Sequence, residues 1–112
     1  MKENEKLERI KKTILNKCKK MSIGVQRIIL FGSRARGENR ENSDFDIYVV
    51  VDEIDFFKVR KLYGDLQWAL VKLEPEVDLV IRTKKHFEEN KKAIGFISYY
   101  VNKEGKDIWI RK

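Results

Sequence analysis

The sequence is poor in the residues that cross-link small proteins. It holds one cysteine, Cys18, and one histidine, His86, among 112 residues. A single cysteine cannot form an internal disulfide, and one cysteine with one histidine cannot supply the four ligands of a structural zinc site. These absences exclude a disulfide-bonded or zinc-held fold, so we expect a conventional hydrophobic core.

Long apolar runs are also missing. The chain has no stretch of 18 apolar residues, which a transmembrane helix would need. Its first twelve residues, MKENEKLERIKK, mix charges of both signs and lack the apolar segment of a signal peptide. We therefore expect a cytoplasmic protein with no membrane contact, and its length predicts one domain over residues 1–112.

Charge is distributed unevenly along the chain, whose formal net charge is +7. Residues 28–56 hold three arginines and seven acidic residues, whereas residues 1–27 and 82–112 are strongly basic. Carboxylates gathered in one segment are what a divalent cation site requires. The basic ends either attract phosphates or an acidic partner, or are simply solvated helix faces.

The hydrophobic pattern predicts alternating helices and strands. Apolar residues at steps of three and four predict a helix over residues 7–21, after which Gly24 is expected in the left-handed conformation. The later elements are predicted as strands over 25–31, 45–51, 77–81 and 107–110, and as helices over 56–73, 84–91 and 93–101. Asp52 or Asp55 would cap the helix that Pro75 ends, and Thr83 the next one.

The connection between the first two strands determines the expected fold class. Residues 32–43 are polar and contain two glycines, which predicts a loop with room for one helical turn after Ser33. Because this connection has no crossover helix, a doubly wound parallel sheet is disfavoured. We expect an α+β (two-layer α/β) fold, a small mixed β-sheet with helices packed mainly on one face.

Three aspartates mark the candidate chemistry. Asp44 and Asp46 stand two residues apart at the second strand, so their side chains leave on one face while Phe45 anchors the other. Asp78 would share that face if the strand over 77–81 is adjacent. Neighbouring carboxylates raise each other's pKa unless a cation neutralises them, and Mg²⁺ prefers such hard oxygen ligands. Three acids suit a two-metal site, although solvated strand acids remain an alternative.

A glycine and a serine precede these acids at a turn. Gly32 permits a tight turn out of the first strand, and the following amides with the Ser33 hydroxyl can donate hydrogen bonds to phosphate. Arg34 and Arg36 either contact a triphosphate or are ordinary surface arginines. A P-loop is rejected because Glu38 and the residue after it stand where lysine and serine or threonine are required.

Together these residues resemble a known family. The segment GSRARGENRENSDFDIYVV resembles the signature of the DNA polymerase beta-type nucleotidyltransferase superfamily, glycine-serine followed after ten residues by D-x-D. The likeness to its minimal nucleotidyltransferase (MNT) branch covers nearly the whole chain. It implies that Gly32 and Ser33 hold a triphosphate and that Asp44 and Asp46 bind two Mg²⁺ ions. Asp78 would complete one metal shell and help to activate a hydroxyl.

The resemblance also implies a partner. Many relatives of this size are antitoxins that act beside a helical HEPN-domain toxin and transfer AMP from ATP to a toxin tyrosine. Three other functions remain open: a non-catalytic antitoxin that acts by binding alone, a small-molecule nucleotidyltransferase, and a basic nucleic-acid binder, of which direct nucleic-acid binding is the least expected. Homodimerisation is also left open.

Aromatic residues are candidate contact points for such a partner. Aromatic anchors are favoured at protein interfaces, but they also fill cores, so both interpretations hold for each residue. The candidates are Trp68, Tyr99, Tyr100 and Trp109. His86 is expected to be an ordinary residue on a helix surface rather than a catalytic base.

Overall fold

A computed structural model describes residues 2–38, 44–73 and 76–112. Within these residues the chain forms helices and strands in the order α1 (Glu3–Lys20), β1 (Val25–Phe31), α2 (Gly32–Arg36), β2 (Phe45–Val51), α3 (Phe56–Val71), β3 (Val77–Thr83), α4 (Lys84–Asn90), α5 (Ile97–Glu104) and β4 (Lys106–Ile110). The predicted bounds of β1 and β2 are confirmed. Pro75, the predicted end of a helix, lies outside the described residues.

The four strands form one mixed sheet in the order β3-β2-β1-β4. β1 is antiparallel to both β2 and β4, whereas β2 and β3 are parallel. The parallel pair requires a crossover, which α3 supplies between them. The expected α+β class with a small mixed sheet is therefore confirmed.

The larger core lies between one face of the sheet and helices α1 and α3. Alternate residues of β2 enter it, because successive strand side chains point to opposite faces. Its central members are Ile10, Ile14, Cys18, Ile28, Phe45, Ile47, Val49, Leu62, Leu66, Leu70 and Ile81. The helices thus pack mainly on this face, as predicted.

A smaller core lies on the second face, under α4 and α5. Tyr48 is fully buried there with Ile29, Val50, Phe87 and Val101. The Tyr48 hydroxyl forms a 2.6 Å hydrogen bond with the hydroxyl of Ser98, which is also fully buried. Desolvation by burial raises the pKa of Tyr48. This pair gives α5 a polar attachment to the sheet.

Local signals at the helix ends were partly predictive. Asp55, one of the two predicted caps, accepts a 2.9 Å hydrogen bond from the Lys58 amide and begins α3. Thr83 caps α4 as predicted. The expectation for Gly24 was wrong: Ser22 takes the left-handed conformation (φ 57°), and a Cβ at Gly24 would collide with the Asp52 carboxylate.

The predicted helix over 93–101 begins later than expected. In the structure α5 starts at Ile97, and Gly95 adopts a φ of 102° that a helix cannot contain. Ile94, which the pattern placed on the buried helix face, is 77% exposed. The apolar spacing was correct for Val101, which is buried, whereas Ile97 and Tyr100 are exposed. Gly95 breaks the backbone before this helix.

None of the helices in the described parts of the chain combines the length and the apolar character that crossing a membrane requires.

Removing the Tyr48 hydroxyl should destabilise the fold because it leaves the buried Ser98 hydroxyl without a partner. We expect Tyr48→Phe to lower the free energy of unfolding by about 1–3 kcal/mol. In urea unfolding, the double variant Tyr48→Phe/Ser98→Ala should lose less than the sum of the two single variants. Strictly additive losses would show that the hydroxyls are not coupled.

Candidate active site

The start of β2 presents two of the predicted aspartates. Asp44 directly precedes the strand and is exposed, while Asp46 lies within it and is half-buried. Phe45, which lies between the two aspartates, and Ile47, which follows Asp46, are buried in the larger core. The strand is therefore anchored through one face while both carboxylates leave on the other.

The third aspartate lies on the neighbouring strand. In the parallel pairing of β2 with β3, Asp78 is the register partner of Asp46. Asp78 is exposed, and its neighbour Leu79 enters the larger core, so the Asp78 side chain leaves on the face that Asp46 uses. The predicted adjacency of the two strands is correct, and the three aspartates lie at the same end of the sheet.

Gly32 brings the turn after β1 against this acidic cluster. Its φ is +73°, in the left-handed region that glycine tolerates. A Cβ at this position would lie 2.9 Å from the Asp46 carboxyl carbon and closer still to one of its oxygens. Helix α2 starts here, and no side chain described in the structure caps its first turn. The Gly32-Ser33 backbone thus lies directly beside Asp46, as a phosphate-holding turn would.

The two arginines of α2 lie in different surroundings. The Arg34 guanidinium stacks 3.9 Å from the centre of the Phe45 ring and pairs with Glu3 at 3.4 Å, with 6% of its side chain exposed. Arg34 therefore ties α2 to α1 and to β2. Its predicted contact with a triphosphate stays a prediction.

Arg36 lies on the other side of α2, toward the acids. It forms ion pairs of 3.2 Å with Glu38 and with Glu104 of α5, and its positive charge acts to lower the pKa of Asp46. Residues two apart on a helix differ by about 200° in direction, so the spacing alone could have indicated that the Arg34 and Arg36 side chains lie on different sides of α2. The ion pair between Arg36 and Glu104 could not be predicted from the sequence, because it joins residues that are distant along the chain.

The acidic cluster changes the protonation of its most buried member. The pKa of Asp46 is raised, first by desolvation and then by the negative charges of Asp78 and Asp44. A bound cation would relieve both the repulsion and the cost of burial. The electrostatics therefore favour a cation at this end of the sheet.

The donor chemistry fits magnesium, since all three side chains offer hard carboxylate oxygens. Across residues 2–38, 44–73 and 76–112, however, no three acidic, histidine or cysteine side chains are grouped closely enough to form a ready-made metal site. Asp44, Asp46 and Asp78 are neighbours rather than a closed cage. Their role as metal ligands stays a prediction.

Comparison with known proteins decides the family. Residues 11–101 match the family of nucleotidyltransferase domains. The chain is a member of this family of nucleotidyltransferase enzymes. The resemblance inferred from the glycine-serine and D-x-D pattern is thereby confirmed, and the matched span includes every residue of the candidate site.

Two relatives come from Methanocaldococcus jannaschii. The protein named "Putative protein adenylyltransferase MJ1379" is 37% identical over 86 residues, which cover 74% of this chain and 86% of that protein. "Putative protein adenylyltransferase MJ0604" is 35% identical over 85 residues, covering 76% and 79%. Both support the nucleotidyltransferase assignment.

Solved structures share the fold of this nucleotidyltransferase. A toxin–antitoxin crystallised with AMP-PNP matches with a TM-score of 0.55 and 27% identity, covering 90% of this chain and 73% of that one. A mutant of the toxin–antitoxin MntA-HpeT matches with a TM-score of 0.59 and 26% identity, covering 95% and 74%. The structure of a protein named "putative nucleotidyltransferase from Sulfolobus solfataricus", at 18% identity, shares the fold alone (TM-score 0.61, covering 99% of this chain and 91% of that one).

Gly32 should be the least replaceable glycine of the site. We expect Gly32→Ala to lose at least about 1–2 kcal/mol of stability from backbone strain, plus the cost of the collision with Asp46. Gly37→Ala is the matched control, since Gly37 has the same φ of +73° but open space around it. Thermal unfolding should show a larger loss of stability for Gly32→Ala than for Gly37→Ala. When Asp46→Ala is added to both variants, the difference between them should become smaller. Equal losses would mean that the approach to Asp46 carries no cost.

Asp46 should lower the stability of the metal-free fold at neutral pH. Because its pKa is raised above the ordinary value of 3.8, the folded state binds more protons than the unfolded state above that pH. Stability should then fall as pH rises from about 4 through the raised pKa.

The variant Asp46→Asn, measured in EDTA, tests this effect of the Asp46 charge on stability. Its melting temperature at pH 7 should exceed that of the wild type by roughly 1–4 °C, a small gain because the carboxyl is half-exposed. The difference should shrink toward pH 3.5. Asp65→Asn, a substitution on α3, should show no such gain, and an Asp46→Asn variant less stable at every pH would contradict the assigned repulsion.

Proposed function

We propose that this nucleotidyltransferase transfers AMP from ATP to a protein hydroxyl in a magnesium-dependent reaction. The acceptor is a tyrosine of a HEPN-type toxin, and the modification silences the toxin, so the chain acts as its antitoxin. The observation that carries the proposal is the position of Asp44, Asp46 and Asp78 at one end of the sheet, with the Gly32-Ser33 turn against Asp46. Nucleotidyl transfer needs both parts, carboxylates for the cations and amides for the phosphates.

The comparisons support the choice of nucleotide and acceptor. Two relatives carry protein adenylyltransferase in their names, and one structural neighbour is a toxin–antitoxin with AMP-PNP, an analogue of ATP. The MntA-HpeT neighbour is also a toxin–antitoxin. These matches cover most of each chain, so the likeness includes the site rather than a peripheral segment.

Each site residue has a defined role in the proposal. Asp44 and Asp46 would hold two magnesium ions, with Asp78 as a further ligand of one of them. The Gly32 and Ser33 amides and the Ser33 hydroxyl donate hydrogen bonds to the triphosphate. When bound, magnesium would neutralise phosphate charge and lower the pKa of the attacking hydroxyl.

The transfer itself is a displacement at the α-phosphorus. The acceptor oxygen forms a bond to that phosphorus, the bond to the oxygen that bridges the α- and β-phosphorus breaks, and pyrophosphate leaves. Asp78, which is exposed, accepts the proton of the hydroxyl. The acceptor thus becomes an AMP ester with no other reactant required.

The two arginines contribute differently. Arg36, held by Glu38 and Glu104 beside the acids, is placed to exchange these partners for triphosphate oxygens. Arg34 contributes through packing, because its stacking on Phe45 fixes the helix that follows Gly32. Residues 1–112 would act as one catalytic domain in the cytoplasm, where ATP is available.

Loss of the two D-x-D carboxylates should abolish the transfer. We expect Asp44→Asn/Asp46→Asn to reduce incorporation of label from α-labelled ATP into the proposed HEPN-type toxin partner by at least 100-fold. Glu5→Gln/Asp65→Asn is the matched control, because it removes two carboxylates from helices that lie over the opposite face of the sheet. Mass spectrometry of the toxin gives the number of AMP units and the modified residue.

Each outcome decides between catalysis and binding. Label on a toxin tyrosine, lost in the D-x-D variant and on chelation with EDTA, supports the proposal. If the wild type and the D-x-D variant both neutralise the toxin and the toxin gains no mass, the chain is an antitoxin that acts by binding alone. Label on a small molecule but never on the protein would overturn the proposed acceptor.

A further inference from the structure

Arg36 lies close enough to the acidic cluster for its charge to act there. It is the last residue of α2, and side chains on a helix tilt toward the start of that helix. The start of α2 is Gly32, which lies against Asp46. The positive charge of Arg36 accordingly acts to lower the pKa of the Asp46 carboxyl. The guanidinium is therefore within electrostatic range of the three aspartates.

Despite this position, the Arg36 guanidinium pairs with none of the three aspartates, all of which lie in the described part of the chain. Its Nε donates a hydrogen bond to Glu38 and its Nη1 donates one to Glu104, both at 3.2 Å. Guanidinium and carboxylate groups attract each other strongly, and three neighbouring carboxylates attract a cation more than one does. The two glutamates therefore hold Arg36 against the attraction of the cluster.

The two glutamates restrain Arg36 in different ways. Glu38 stands two residues after Arg36 on the same segment, and 63% of its side chain is exposed, so it moves together with α2. Glu104 is the last residue of α5 and only 33% of its side chain is exposed. Among the described residues, Glu104 is thus the acid that ties the guanidinium to another element of the fold.

The end of α5 has a fixed position on the sheet. The Gly105 amide, directly after Glu104, donates a 2.9 Å hydrogen bond to the Val101 carbonyl. A Cβ at Gly105 would lie only 2.5 Å from the Ile29 side chain of β1, so the backbone approaches the sheet too closely for a larger residue. The next residue begins β4, which pairs with β1. The backbone of Glu104 is therefore a firm anchor for the Arg36 side chain.

We propose that Glu104 is a positioning residue, which holds the Arg36 guanidinium away from the three aspartates and so leaves their carboxylates open to a divalent cation. Without Glu104, the guanidinium would turn toward Asp46 and compete with the cation for the same oxygens. This inference rests on the proposed function in taking the three aspartates as cation ligands.

A purely structural ion pair between α2 and α5 would behave differently. Loss of either partner would break such a pair, so Arg36 and Glu104 variants would change cation binding in the same direction. The positioning role predicts different directions. Loss of Glu104 lowers the affinity for a cation, whereas loss of Arg36 removes the competing guanidinium and lowers nothing.

The test titrates the full chain with Mn²⁺, which takes the same oxygen ligands as Mg²⁺ and whose free ion is measured by electron paramagnetic resonance. We expect Glu104→Gln to bind Mn²⁺ at least 5-fold more weakly than the wild type. Asp65→Asn is the matched control and should alter Kd less than 2-fold, since Asp65 also forms a 3.2 Å ion pair, with Lys61, and is 35% exposed. Asp44→Asn/Asp46→Asn should lose the measured binding, which would place the ion at the acidic cluster.

The variant Arg36→Ala supplies the deciding comparison. It should bind Mn²⁺ at least as tightly as the wild type, and adding Glu104→Gln to it should alter Kd less than 2-fold. In EDTA, the melting temperatures of these variants should stay within about 5 °C of the wild type, because exposed ion pairs contribute little to stability.

Three results would overturn the proposal. Equal losses of Mn²⁺ affinity in Arg36→Ala and Glu104→Gln would show a structural link only. A Glu104→Gln effect that persists undiminished in the absence of Arg36 would show a direct effect of the Glu104 charge. An unchanged Kd in Glu104→Gln would show that Glu104 does not restrain the guanidinium.

Mn²⁺ binding is measured without any acceptor, so this inference and the proposed function fail separately. The expected Mn²⁺ affinities without AMP transfer by the wild type would refute the proposed reaction and leave the role of Glu104 intact. AMP transfer that EDTA abolishes, combined with an unchanged Kd in Glu104→Gln, would refute the role of Glu104 alone. Absence of Mn²⁺ binding by the wild type would overturn this inference even if AMP is transferred.

Discussion

The parallel pairing of β2 with β3 puts Asp46 beside Asp78, and the remainder of the site is arranged around that pair. Such a pair is unfavourable by itself, since two carboxylates approach each other while one of them is half-buried. The structure tolerates it because the same strands bury Ile47 and Ile81 on their other face. Hydrophobic burial thus holds together two side chains whose own interaction would separate them.

The turn after β1 adds a second close approach to the same carboxylate. Gly32 has no side chain to collide with Asp46, and its left-handed backbone starts α2 at that point. The Arg34 guanidinium then stacks on the ring of Phe45, the residue between the two D-x-D aspartates, and this contact holds α2 in place. The acids and the turn therefore share one support, and displacement of Phe45 would disturb both at once.

The parts that could be predicted from the sequence are those whose signals are local. The segment FDIYVVV predicts a strand because it consists mostly of branched and aromatic residues. The glycine-serine and D-x-D pattern implies the family because the chemistry requires these residue types. The position of Gly95 could have stopped the predicted helix over 93–101. Sheet order has no local signal, so the position of β3 at the outer end of the described sheet could not be predicted. The ion pair of Arg36 with Glu104 is equally non-local.

The outer edge of β3, which no other described strand covers, also bears on the behaviour of the protein at high concentration. An open strand edge is a template for association with other chains, and charged side chains along it are a common protection against aggregation. Here Leu79 and Ile81 are buried, the Arg82 side chain donates a hydrogen bond to the Ile81 carbonyl, and the net charge of +7 adds repulsion over a longer range. Because 0.1 M salt screens interactions between exposed charges more than about 10 Å apart, the colloidal stability of this small enzyme depends on the ionic strength of its buffer.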